Sequence, residues 1–353
     1  NIRKLDKEGF RYVYELRTPA EIDAFEIVRQ PLWTDRRAEA GPFDIIGDVH
    51  GCCDELETLL ANLGYAVVWS QDANGARTCA VTPPAGRRAI FVGDLVDRGP
   101  RSPDVLRIVM SMVAGNAALC VPGNHDVKFL RWINGRKVQP THGLDVTIGQ
   151  MEAEPPAFRN EVRNFIDGLV SHLWLDGGAL TVAHAGIRAD MIGRSSGRVR
   201  EFCLYGETTG ESDEFGLPVR YNWAADYTGS STIVYGHTPI LGADWLNSTL
   251  CIDSGCVFGG KLTALRWPEK EIVSVPAARV YAEPKRPLRG SAAAAGLSLQ
   301  HAHDDVLDLS LVAGKRIVST TLGRTITIEE GNSAAALEVM SRFRISGVPV
   351  TRD

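Results

Sequence analysis

The sequence predicts an α/β fold, and three observations predict it. Short apolar runs of strand length recur along the chain, each followed by a loop motif and then by a segment that reads as loop or helix. Between residues 41 and 134 this strand-loop-helix unit repeats three times. The 353 residues suffice for one large α/β domain with appendages.

Residues 1 to 40 read as a short helix-rich appendage. Phe43 to Ile46 is the first buried strand and runs into Gly47-Asp48-Val49-His50-Gly51. Ala89 to Val92 leads into Gly93-Asp94-Leu95-Val96-Asp97-Arg98-Gly99, and Ala117 to Val121 into Gly123-Asn124-His125-Asp126. The stretch Phe158 to Leu173 is amphipathic, with Val162, Ile166, Leu169 and Leu173 at helical spacing. It reads as a packing helix, with a cap over the site as the alternative. Leu180 to Ala183 precedes His184, Thr232 to Tyr235 precedes His237, and Leu250 to Asp253 and Leu262 to Trp267 are the last strand-like runs. Residues 193 to 230 are polar and Gly-rich with few strand signals, as expected of a long functional loop. The main domain is expected over 41 to 282. Pro284, Pro287, Gly290 and the Ala292 to Ala295 run read as a linker over 283 to 300. A small strand-and-helix tail is expected over 301 to 353.

The motifs at the strand ends carry the chemistry. Hydrolysing a phosphate ester at neutral pH needs an activated water and positive charge on the attacking and leaving oxygens, which two divalent ions about 3.5 to 4 Å apart supply. Such a pair needs a bridging carboxylate and mixed nitrogen and oxygen ligands. The chain offers Asp94 as the bridge, Asp48 and His50 for one ion, and Asn124, His184 and His237 for the other. Ligands of this kind, without thiolate, suit Mn, Fe, Co, Ni or Zn rather than Mg or Ca. Glycines 47, 51, 93, 99, 123 and 236 allow sharp strand-to-loop turns beside them.

These blocks, in this order, resemble the calcineurin-like metallophosphoesterase superfamily over roughly residues 43 to 267. The resemblance implies an α/β/β/α sandwich of two mixed sheets flanked by helices, the six-ligand set above, and two divalent transition-metal ions with Mn favoured. It further implies that Asp97 orients His125, the candidate general acid, and that Arg98 offers a planar fork to phosphate oxygens. Asn124 and His125 join Arg98 against the substrate phosphate. Asp253 is similar to an acidic residue near the metals of the family. Within the superfamily, Gly47 to Leu60, Val121 to Phe129, Leu204 to Thr208 and Tyr235 to Pro239 are similar to the central phosphatase domain of the bacterial polynucleotide kinase-phosphatases of RNA repair. The flanks agree: Asn1 to Arg37 is similar to the tail of the kinase domain, and Ala336 to Phe343 to the approach to the ligase domain.

A GxxxxGK[ST] phosphate loop and a Lys-x-Asp-Gly ligase motif are both absent, which leaves only phosphatase chemistry. A first residue of Asn rather than Met suggests an excised segment of a larger protein, and a processed chain would look the same. No signal peptide and no apolar run of membrane length is present, so a cytoplasmic location without membrane partners is expected. The seven cysteines lack metal spacing and read as reduced core residues. His142, His172, His301 and His303 match no block and read as surface or core residues. A net charge of -5 does not mark a nucleic-acid binder, although Arg188, Arg194, Arg198 and Arg200 crowd the loop after His184 and could follow a phosphodiester backbone.

Three readings of function follow. The first is an RNA-end phosphatase acting on 2',3'-cyclic phosphate and on 2' or 3' monophosphate. Its partners would be RNA ends, kinase and ligase domains of the same polypeptide, and a 3'-terminal RNA ribose methyltransferase. The second is another enzyme on the same scaffold, a Ser/Thr protein phosphatase or a symmetrical dinucleoside-tetraphosphate hydrolase. The third is a non-catalytic scaffold, which the intact ligand set argues against. The flanking similarities favour the first.

Overall fold

The computed structural model describes residues 15–26, 32–73, 75–213, 217–285 and 288, and strand residues 317–320, 323–326, 328–329 and 350–351. The chain divides into a unit over Asn1–Gly296 and a second over Leu297–Asp353.

In chain order the strands of the first unit are β1 (Asp35–Arg36), β2 (Phe43–Ile46), β3 (Ala66–Gln71), β4 (Arg77–Thr82), β5 (Arg88–Phe91), β6 (Ala118–Cys120), β7 (His172–Leu175), β8 (Leu180–Ala183), β9 (Thr208–Ser212), β10 (Pro218–Arg220), β11 (Thr232–Tyr235), β12 (Trp245–Leu246), β13 (Thr249–Cys251), β14 (Lys261–Trp267) and β15 (Glu271–Pro276). One mixed sheet runs β1-β7-β8-β11-β13-β12, and a second runs β15-β14-β2-β5-β6. Every strand end expected to carry a motif is present, within a residue or two of the expected bounds.

The pleat explains why these strands read as continuous apolar runs rather than as alternating ones. Successive side chains point to opposite faces, and both faces here are covered. Ile45, Ile90 and Val92 of the five-stranded sheet meet Leu180, Val182, Val234 and Leu250 of the six-stranded sheet in one buried layer. Their neighbours Ile46, Ala89 and Phe91 face the other way, into a cluster with Leu56, Leu59, Leu60, Val105, Leu106 and Val109 of the helices Cys53–Leu63 and Ser102–Ala114. On the outer face of the six-stranded sheet, Ala183, Ile233, Tyr235 and Cys251 pack with Val199, Phe202 and Cys203 of the helix Gly197–Tyr205. The result is the expected α/β/β/α sandwich.

Several expectations are adjusted. β1 pairs in parallel with β7, so the sheet begins at Asp35, ahead of the boundary expected at 41. The amphipathic stretch forms the helix Pro156–Asp167, which buries Val162 and Ile166 in the core and so packs rather than caps. It stops at Gly168, and Leu173 belongs to β7. The expected long loop over 193 to 230 holds a helix and an antiparallel β9-β10 hairpin. The helix starts at Ser196, whose side chain accepts from Val199 N, and buries Val199, Phe202, Cys203 and Leu204. The hairpin was hidden because Thr208–Ser212 carries no apolar alternation.

The seven cysteines are free, and all but Cys79 are buried. His172 is buried and His142 exposed. Of the expected linker, Pro284 is described while Pro287, Gly290 and the alanine run lie outside the described residues, as do His301, His303, Ala336 to Phe343 and most of Asn1 to Arg37. The second unit contributes two strand pairs, Ile317–Thr320 antiparallel to Gly323–Ile326, and Ile328–Glu329 parallel to Val350–Thr351. Among the described residues no helix is long and apolar enough to cross a membrane.

Candidate active site

Six strand ends deliver the expected side chains to one place. β2 is followed by Asp48 and His50, β5 by Asp94, β6 by Asn124, β8 by His184, β11 by His237 and β13 by Asp253. Adjacent strands in one sheet end side by side, so residues far apart in sequence become neighbours: His237 N donates to Asp48 Oδ2 at 3.0 Å across the two sheets. His50 N donates to Asp94 O at 2.8 Å, and His125 N to Asp94 Oδ1 at 2.9 Å.

Asp94 sits at the middle. Its Oδ2 lies 3.5 Å from His50 Nε2 and its Oδ1 lies 3.5 Å from His184 Nε2. Two ligand clusters therefore share it, His50-Asp94-His125 and Asp94-His184-His237, with the ligand atoms of each within 4.8 Å of one another. His184 Nε2 is 3.0 Å from both Asn124 Oδ1 and His237 Nδ1. The ring tautomers are fixed from behind: His50 Nδ1 donates to Val96 O at 2.8 Å and His184 Nδ1 to Val92 O at 3.0 Å, which leaves each Nε2 turned inward as an electron-pair donor.

The backbone is strained where these side chains converge. His50, Asp94, Asp97, Arg98 and His237 all have φ between 46° and 76°, a region that costs a non-glycine residue on the order of 1 kcal/mol or more. Gly236 is required by proximity instead, since a Cβ there would lie 1.9 Å from Asp48 Oδ1.

Burial is the largest influence on the protonation of the cluster and outweighs the nearby charges of Arg98 and Arg220. It pushes Asp94 and Asp253 up to about 7 and Asp48 well above the usual carboxylate range, with Asp253 and Asp94 adding to the effect on Asp48. It depresses His184 to about 3 and holds His50 and His237 well below the ordinary imidazole value. Neutral imidazoles beside buried carboxylates, with Asp48 Oδ1 and His237 Nε2 buried and unpartnered, form a donor set suited to cations. The residues fit a pair of divalent ions.

Beside this cluster, His125 Nδ1 donates to Asp97 Oδ2 at 2.6 Å. Burial favours the neutral form of each, raising Asp97 to about 8 and lowering His125 well below its usual value. Arg98 spans the two imidazoles of this corner, donating to His50 Nε2 at 2.5 Å and to His125 Nε2 at 2.9 Å. Asp253 is buried and accepts from Gly255 N at 3.0 Å.

Three contributors went unassigned in the sequence. Asp126, fully buried, accepts from Leu95 N at 2.9 Å and Gly123 N at 2.8 Å, tying the Asp94 loop to the Asn124 loop. Its place in Gly-Asn-His-Asp was the available signal. Thr147 Oγ1 accepts from Asp97 N at 2.9 Å, and nothing in the local sequence marks it. Arg220, on the unforeseen β10, is near enough for its charge to help depress His184 and His237. Of the arginines in the loop after His184 that could follow a phosphodiester backbone, Arg188 pairs with Asp190 and Arg200 donates to Leu169 O.

Comparison with known proteins follows the same blocks. Residues 41–266 match the Calcineurin-like phosphoesterase family. Bis(5'-nucleosyl)-tetraphosphatase PrpE [asymmetrical] of Anoxybacillus flavithermus is 48% identical over 69% of this chain and 98% of its own length. The proteins of the same name from Geobacillus sp. and Bacillus subtilis are 45% and 42% identical, over 97% and 99% of their lengths and 69% and 70% of this chain. These relatives overturn the narrower resemblance to polynucleotide kinase-phosphatases, and with it the expectation of an RNA-end phosphatase in RNA repair. Three of the four stretches that suggested it carry candidate metal ligands, Asp48, His50, Asn124 and His237, which the calcineurin-like family as a whole accounts for.

Proposed function

The chain belongs to the calcineurin-like phosphoesterase family, and from that premise we propose that it hydrolyses bis(5'-nucleosyl) tetraphosphates, cleaving them asymmetrically. The observation that carries the reading is the match to tetraphosphatases over nearly their whole length at 42% to 48% identity. It replaces the symmetrical hydrolase among the expected alternatives by the asymmetrical one. The substrate partner is then a small nucleotide.

Each residue takes a role consistent with its position. Asp94 is the shared ligand, Asp48 and His50 serve one ion, and Asn124, His184 and His237 serve the other. Two divalent transition-metal ions there, with Mn favoured and Fe, Co, Ni or Zn suited to the same ligands, would polarise phosphoryl oxygens and activate water. Arg98, whose fork already spans His50 and His125, turns to the phosphate oxygens, and Arg220 answers the same charge from the hairpin. Once Arg98 has turned to the phosphate, His125 presents Nε2 towards the leaving oxygen and, when protonated there, can hand it that proton. Asp97 fixes the ring through Nδ1 and is itself held by Thr147. Asp253 stands beside Asp48 and adds negative charge to the first ion's surroundings.

The test is product analysis. With Mn present, the chain is offered diadenosine tetraphosphate, an RNA bearing a 2',3'-cyclic phosphate, and a phosphopeptide. Asymmetrical hydrolysis yields one triphosphate and one monophosphate in equal amounts, whereas two diphosphates would mean symmetrical cleavage. Fast turnover of the phosphopeptide with an untouched tetraphosphate would refute the proposal.

A further inference from the structure

A second group of ligating side chains lies outside the site just described. Cys52 and Glu55 stand three apart at the start of the helix Cys53–Leu63 and so share one face. Cys256 opens the single turn Cys256–Phe258. All three are buried, and the two sulfurs and a Glu55 carboxylate oxygen lie within 4.8 Å of one another. A cation about 2.3 Å from each sulfur needs sulfurs no more than about 4.6 Å apart, which this cluster meets with little or no side-chain adjustment.

A second observation is independent of that spacing. Glu55 is 3% exposed, and its Oε1 accepts from Ala278 N at 2.9 Å and from the Tyr281 hydroxyl at 2.7 Å. Its Oε2 is buried and has no hydrogen-bond partner. A buried carboxylate oxygen left unpaired is costly, and two thiols lie near the same carboxylate group.

We propose that Cys52, Cys256 and Glu55 form a buried site for one thiolate-preferring divalent cation of the zinc class, separate from the candidate active site. Two thiolates and a carboxylate are a soft-leaning set that suits zinc, with the fourth tetrahedral position left to water. Binding exchanges two thiol protons for one dication: Zn²⁺ plus two thiols plus one carboxylate gives a zinc dithiolate carboxylate and two released protons. The net charge of the buried cluster is the same before and after, so the ion satisfies Glu55 Oε2 without adding a buried charge. Cys52 follows His50 by two residues and Cys256 follows Asp253 by three. The ion would therefore clamp together the roots of two active-site loops.

Cobalt(II) provides the test, because only sulfur ligands give a thiolate-to-cobalt charge-transfer band in the near ultraviolet, and the candidate active site has none. Chelator-treated, reduced full-length chain is titrated with cobalt(II) and then with zinc(II). The expected result is a band whose final intensity corresponds to one thiolate-bound cobalt per chain, reached by about three equivalents because the candidate active site takes up cobalt as well, and quenched by zinc. Cys52→Ser and Cys256→Ser should each lose the band. Glu55→Gln, which keeps the side-chain size if the serine variants fail to fold, should weaken cobalt binding by roughly tenfold or more. Absence of the band in folded, reduced wild-type protein overturns the proposal. So does a band that survives in both serine variants, or a peptide map showing Cys52 and Cys256 joined as a disulfide in the metal-treated protein.

Discussion

Asp94 is shared by both ligand clusters, through Oδ2 towards His50 and Oδ1 towards His184. Removing it should therefore disturb both ions at once. Asp94→Ala is expected to lower turnover by at least about a thousandfold, on the scale of losing a metal's whole contribution, together with loss of bound metal by elemental analysis. Near-normal turnover with metal supplied would refute the two-ion reading. His125 makes a subtler prediction. A nucleotide leaves from a tetraphosphate as a weakly basic phosphate oxygen, so the proton held by His125 matters less there than for an alkyl phosphate, whose alkoxide leaves poorly. His125→Ala should cost on the order of 100 to 10,000-fold on an alkyl phosphate and distinctly less on p-nitrophenyl phosphate and diadenosine tetraphosphate. Equal defects on all three would make His125 a phosphate binder only. At this scale the sequence was legible where a motif at a strand end places a carboxylate or an imidazole, and the structure brings Asp48, His50 and His184 to one place. It was not legible for Thr147 or Asp126, which act by holding backbone N–H groups that any nearby oxygen could hold.

Among the elements, β2, β5, β6, β8, β11, β13 and β14 could all be foreseen, because strands covered on both faces read as apolar runs, and all but β14 lead into a motif carrying a glycine or a candidate site residue. The β9-β10 hairpin could not, since its strands are largely exposed and held by backbone pairing, which leaves no trace in side-chain pattern. β7 carries a testable pH effect. His172 is buried, its Nε2 accepts from Gly193 N at 3.1 Å, and burial depresses it to about 4. Protonation would end that hydrogen bond. Because the folded value lies below the unfolded 6.5, the unfolded chain takes up the proton first. The contribution to stability is complete above about pH 6.5 and is lost as pH falls towards 4, by at most about 3 kcal/mol. Buried carboxylates with raised values push the other way, so the comparison must be between proteins. Urea unfolding of wild type and His172→Gln at pH 7 and pH 5 should show the wild type losing more stability on acidification; parallel losses would refute the effect.

For the whole molecule, fold and substrate were unequally readable. Ligands at strand ends of a two-sheet sandwich are demanded by the metal chemistry, so the blocks specify the family. Substrate preference carries no block of its own, and the stretches and flanks similar to the RNA-repair phosphatases pointed to RNA, which the tetraphosphatase relatives overturn. Every candidate site residue lies between Asp48 and Asp253, within the unit Asn1–Gly296. The tetraphosphatase relatives match about 69% of the chain while being spanned almost completely themselves. Chemistry and substrate recognition should therefore both reside in the first unit. A chain ending at Gly296 keeps every candidate site residue and is therefore expected to turn over diadenosine tetraphosphate at close to the rate of the full chain. A loss of turnover by tenfold or more in the folded, metal-loaded truncation would mean that residues 297–353 complete the substrate site, and the assignment of the reaction to the first unit alone would fall.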